Sequence, residues 1–206
     1  MKSLTTPEDW RHTLARLNAC PEALTWCRTQ PTPRDAWNAC PRADWILWLA
    51  ATILVEPTSR TLVVLAACDC AETALAYVPA GESRPRACLE TVRAWARNEA
   101  TIEQVRENRT DASAYAAAAA DAYAAAAADA AAADAADAYA AYAAAYAATT
   151  AAYAAYAADA ADAADAADAR KETLAKSAQI VRSMLSLDQI KDALGAQTRV
   201  RKEGKA

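Results

Sequence analysis

The residue types able to do acid–base, nucleophilic or metal chemistry are few in this sequence and poorly grouped. His12 is the single histidine; its place beside Arg11, on the polar side of the first expected helix, reads as a surface position and not as a catalytic base. Cys68-Asp69-Cys70 is the one close cysteine pair, and with one residue between them both thiols cannot face the same way on a helix. No C-x-x-C, Cys/His cluster or paired histidine supplies a zinc set. Three glycines cannot build a phosphate-cradling loop, and G-x-G-x-x-G, P-loop and G-x-S-x-G motifs are all missing. Carboxylate pairs such as Asp69 with Glu72 fall at helical spacing, where solvation or pairing with arginine is the ordinary use. The chain reads as a non-enzyme with no cofactor and no metal.

What remains is a surface without an obvious reaction. Of the 59 residues from Asp111 to Ala169, 40 are alanine, and nine are aspartate with no Lys or Arg among them. The tract ends in ADAADAADAADA, residues 158 to 169. The overall charge of −4 is therefore a sum of −9 here and about +5 elsewhere, an electrically bipolar chain. Tyr139, Tyr142, Tyr146, Thr149, Tyr153 and Tyr156 alternate spacings of three and four, a heptad seam that marks the packed side. Asp159, Asp162, Asp165 and Asp168 fall off that seam and mark the solvated side. A step of three lags a full turn by 60°, so these carboxylates spread around half the helix instead of forming a line.

Four uses suit such a tract. The plainest is a solubilising face on a close-packed alanine-rich bundle. A sharper one is an electronegative surface for a basic protein partner, with Asp134 and Asp137 as further candidates beside the four above. An acidic mimic of nucleic acid is the third and a structural or oligomeric helical scaffold the fourth. Ice binding would want a regular file of threonines, and the tract has only Thr149 and Thr150. Lys and Arg are scattered and not clustered on one face, which argues against direct nucleic-acid binding.

The elements that must position these residues are helices. Few glycines, no phenylalanine and eight prolines confined to the first 85 positions give an all-α composition. Thr6-Pro7-Glu8-Asp9 opens a helix to about Leu17, and NACPE (18–22), Thr32-Pro33-Arg34-Asp35 and CPRAD (40–44) repeat that start. WILWLAATILV, residues 45 to 55, carries Trp45, Trp48, Leu49 and Thr52 on one stripe with Ile46, Leu47 and Ile53 beside it, too apolar all round for a surface helix. Pro57 starts another helix, ended by Pro79-Ala80-Gly81. Pro85 restarts the chain, Thr101 and Gln104 form a capping box, Ser186 caps a last helix, and Gly195 stops it before a basic tail. Between these, breaks are expected at residues 108 to 113 and at Thr149-Thr150, because the tract as one rod would run about 88 Å, against a globule of roughly 40 to 45 Å.

The expectation is one domain over residues 1–206: short Trp/Cys-rich helices in 1–100, long Ala/Tyr/Asp helices in 101–185, and a short helix with a basic tail in 186–206. Trp10, Trp26, Trp37, Trp45, Trp48 and Trp95 supply the bulk that alanine cannot, and one or two at a groove would anchor a partner peptide. A monomeric hairpin across the tyrosine seam is preferred to a coiled-coil dimer. The start MKSLTTPEDWRH has no apolar signal region, and the run from Trp45 to Val55 is too short to span a bilayer. A cytoplasmic protein with reduced thiols and no membrane contact is expected.

The succession NACPEALTWCRTQ, AWNACPRADWILWLA, LAACDCAETALAYVP, LETVRAWARNEA and ARKETLAKSAQIVRSML resembles the Imm-5-like putative immunity proteins, alanine-rich chains of bacterial and bacteriophage genomes. The likeness runs from about Leu14 to Leu185. It implies an immunity or phage anti-defence protein that binds and neutralises a protein partner, in the host cytoplasm if phage-encoded. It brings no active-site residues with it.

Overall fold

A computed structural model describes residues 7–73, 75, 80–119 and 163–203. The regular elements among them are helices and none is a strand, which makes the fold an all-α helical bundle. The helices are α1 (Pro7–Arg16), α2 (Pro21–Arg28), α3 (Pro33–Ala39), α4 (Ala43–Ile53), α5 (Pro57–Glu72), α6 (Arg84–Ala96), α7 (Ile102–Ala119), α8 (Ala163–Met184) and α9 (Leu187–Glu203).

Proline starts α2, α3 and α5, where its missing N–H costs nothing. Thr32 caps α3 by accepting from the Asp35 N–H at 3.1 Å. Two reciprocal capping boxes form. The Thr101 N–H donates to Gln104 Oε1 at 2.8 Å while the Gln104 N–H donates to Thr101 Oγ1 at 3.3 Å. Ser186 and Gln189 repeat the pattern at 2.7 and 3.2 Å. After α1 and α6 the chain reverses through Asn18 and Asn98 at φ of 64° and 62°, left-handed positions that asparagine tolerates.

Four sequence expectations are corrected. α4 opens at Ala43 with Arg42 as N-cap, so Pro41 precedes the helix instead of starting it. α5 ends at Glu72, well short of Pro79. No break falls at 108 to 113, because α7 runs unbroken from Ile102 to Ala119. There the Asn108 amide donates to the Gln104 carbonyl and the Thr110 hydroxyl to the Arg106 carbonyl, each at 3.0 Å; these polar side chains bond back into the helix and do not cap a new one. Gly195 does not stop α9 either, since the helix continues to Glu203. A mid-helix glycine costs about 1 kcal/mol, too little to end a helix capped at Ser186 and packed through Ile190. The break at Thr149-Thr150, the seam tyrosines Tyr139, Tyr142, Tyr146, Tyr153 and Tyr156, and with them the choice of hairpin or rod, lie outside the described residues.

α8 packs across both α4 and α5, α6 lies between α5 and α7, α9 lies on α4, and α1 pairs with α2. The main core joins Ile53, Val64, Leu89, Val92, Val105, Val181, Leu185 and Ile190, all 2% exposed or less. Cys68 and Cys70 do face apart: Cys68 is sealed against α6, and the Cys70 thiol donates to the Ser177 carbonyl of α8 at 3.4 Å. Arg93 ties α6 to α5 through Asp69 and Glu72, at 2.7 and 2.5 Å. A second, smaller cluster holds Trp10, Cys27 and Ala36, with Leu14 and Trp26 packed against it.

Candidate functional site: a tryptophan-lined cleft

Bulky flat side chains meet at one place. The short helices α1 to α3 are too brief to bury their apolar faces against one another, and α4 is apolar on both sides. One side of α4, Ala43, Ile46, Leu47, Ala50 and Ile53, faces the core. The other presents Trp45, Trp48 and Leu49, which stay half-buried. With Trp10 of α1, Trp26 of α2, Trp37 of α3 and the Leu187, Ile190, Leu194 stripe of α9, they line a cleft of about 250 Å³. The lining is mostly apolar, with Thr13, Cys40 and Lys191 among its residues.

Three arginines hold this frame. Arg11 stacks on Trp10 with its guanidinium carbon 4.7 Å from the ring centre. Its Nε donates to the Cys27 carbonyl at 3.1 Å and its Nη2 to the Gln30 carbonyl, joining α1 to the end of α2. Arg42 stacks on Trp45 at 4.7 Å and grips Asp44 with two hydrogen bonds of 2.8 and 2.6 Å, which fixes the first turn of α4. Arg182 of α8 donates to the Cys40 carbonyl at 2.8 Å and the Trp37 carbonyl at 3.4 Å, so the last turn of α3 is clipped to the core. Trp26 and Trp45 meet at 6.0 Å, tilted by 54°, a favoured aromatic geometry.

The cysteines are free thiols, five of them buried. Burial pushes Cys68, Cys70 and Cys88 up to about 12 and Cys27 up to about 11, which keeps them protonated and poor as nucleophiles. His12 is exposed, as its polar-side position predicts. Of the candidate aspartates, Asp165 and Asp168 fall within α8; Asp134, Asp137, Asp159 and Asp162 lie outside the described residues. Sequence reasoning named its tryptophans one by one but missed the cleft, whose fourth wall, the i, i+3, i+7 stripe of α9, was the legible signal. No helix among the described residues is long and apolar enough to cross a membrane.

The family model of the Imm-5 like putative immunity protein matches residues 54–184. That is well over half of the chain, and the chain belongs to that family. The match begins about 40 residues later than the resemblance read from the sequence, leaving the DWILWLA block outside it. No curated protein matches the chain, and no solved structure does. The cleft is built wholly from residues outside the matched stretch.

Proposed function

We propose that the chain is a non-enzymatic immunity protein, of the cellular or the phage anti-defence kind, which acts in the cytoplasm by binding and occluding a protein partner. Membership of the family over residues 54–184 carries this reading. Protonated, buried thiols support the non-enzymatic part. The acidic tract supplies the contact surface: nine aspartates with no intervening cation draw a basic partner and set its orientation. Asp134, Asp137, Asp159, Asp162, Asp165 and Asp168 are the proposed contact residues, with Tyr139, Tyr142, Tyr146, Tyr153 and Tyr156 packing the tract against itself in a monomer.

The test is affinity capture from the native host with wild type and with a variant carrying Asn at those six aspartates. A basic protein that binds wild type, releases with salt and ignores the variant supports the reading. Recovery of no protein, or equal capture by both chains, overturns it. A captured protein that DNA displaces at low salt points instead to an acidic nucleic-acid mimic. Concentration dependence of the melting temperature, with a dimer mass, would replace the monomer by a coiled-coil dimer.

A further inference from the structure

α8 and α9 follow one another along the chain but are held differently. α8 buries Thr173, Ser177, Ala178 and Val181, receives the Cys70 thiol at its Ser177 carbonyl and reaches the Cys40 carbonyl through Arg182. In residues 187–196 of α9, Ile190 alone is buried, 2% exposed, while Leu187, Ala193 and Leu194 are partly buried. Three of those four, Leu187, Ile190 and Leu194, line the cleft of about 250 Å³, so part of the apolar stripe faces open space and forfeits the dispersion contacts that a packed helix makes. The contacts of Ser186 with Gln189 and of Lys191 with Asp188 lie within the helix and its cap and travel with it. The join is short and sharply divided. The Leu185 N–H donates back to the Val181 carbonyl at 2.8 Å and Leu185 is 1% exposed, whereas Ser186 belongs to the cap of α9. The pivot is one pair of residues at an element end, the usual place for a hinge.

We infer that α9 is a hinged strap: it opens from α4 as one unit about Leu185 and Ser186 while α4, α5, α6 and α8 stay packed, and the opening removes one wall of the tryptophan-lined cleft. The cleft then has a closed form, with Leu187, Ile190 and Leu194 in place, and an open form without them. This device goes beyond partner binding by the acidic tract, because α9 and the cleft lie outside residues 54–184.

Native-state hydrogen exchange on the full-length chain, read amide by amide, tests this. With one buried anchor against the many of the core, the amides of residues 191–196 should exchange at least about 100-fold faster than those of Val92 and Ala178. They should share one opening free energy and respond little to urea below the unfolding midpoint, since a small opening exposes little surface. Two variants separate local from global opening. Leu89→Ala weakens a core site, 1% exposed, that stays packed in both the closed and the open form, so it should speed exchange at Val92 and Ala178 and leave residues 191–196 unchanged. Ile190→Ala removes the anchor, so it should speed residues 191–196 at least about tenfold. The proposal is overturned if residues 191–196 exchange at the core rate in the wild type, or if their rates grade smoothly toward the C-terminus as fraying would produce. It is equally overturned if Leu89→Ala speeds them as much as the core, or if Ile190→Ala leaves them unchanged. The wild-type rates and their urea dependence decide the matter even where a variant fails to fold.

Discussion

Two sets of helices share one bundle and fill space differently. In the family-matched stretch, α5, α6 and α8 meet through small and branched side chains: Ala66, Cys68, Cys70, Ala71, Leu89, Val92, Ala178 and Val181 are each 3% exposed or less. In the flank, residues 10–49 with 187–194, five tryptophans supply the bulk, and Trp26, Trp45 and Trp48 remain half-buried around open space. Small side chains interdigitate to near-crystalline density. Large planar rings on helices of seven to eleven residues cannot tile a surface, and a cleft is what is left between them. α4 belongs to both sets, with one face on each.

The largest separation of the two regions should come from cavity mutants. Leu89→Ala, at a site 1% exposed, is expected to cost about 2 to 5 kcal/mol of global stability, read by urea denaturation. A loss under about 0.5 kcal/mol, the usual range for surface substitutions, would mean that the matched helices are not the packed core. Arg182→Met comes next. It strips the Cys40 and Trp37 carbonyls of their donor and should cost about 1 to 3 kcal/mol. If the clip is what couples the regions, the variant should also speed hydrogen exchange in α3 while leaving α6 protected. Uniform loosening of both would show that the flank has no separate stability.

Trp48→Ala should cost less than Leu89→Ala, because a partly exposed wall of an open cleft leaves no sealed cavity. A loss as large as that of Leu89→Ala would erase the distinction between cleft and core. The smallest effect has the opposite sign. Nothing lies within 4 Å of a Cβ built on Gly195, so Gly195→Ala should stabilise α9 by about 0.5 to 1 kcal/mol, seen as a modest rise in melting temperature. Thiol labelling sharpens the picture without altering stability. Exposed Cys20 should react at once, Cys27 and Cys40 of the flank next, and Cys68, Cys70 and Cys88 only on global unfolding. Early labelling of Cys88 would place the weak region in the core instead.

Much of this protein was written locally. The Thr32 cap, the capping boxes at Thr101 and Ser186, and the proline starts at residues 21, 33 and 57 depend on residues within four positions of one another, so the sequence alone determined them and the all-α class. It also determined that His12 would be a surface residue and that Cys68 and Cys70 would face apart, since both follow from helical periodicity. The tertiary structure decided where local signals were outvoted. Asn108, Thr110 and Gly195 look like helix ends, but back-bonding to the preceding turn and the packing of α9 on α4 outweigh a penalty near 1 kcal/mol. The tertiary structure alone also made the cleft. Trp10, Trp26, Trp37, Trp45, Trp48 and Lys191 come from five helices spread over more than 180 positions. No local pattern encodes their meeting, because it depends on Arg182 clipping α3 to α8 and on α9 returning to α4, contacts between residues more than 100 positions apart.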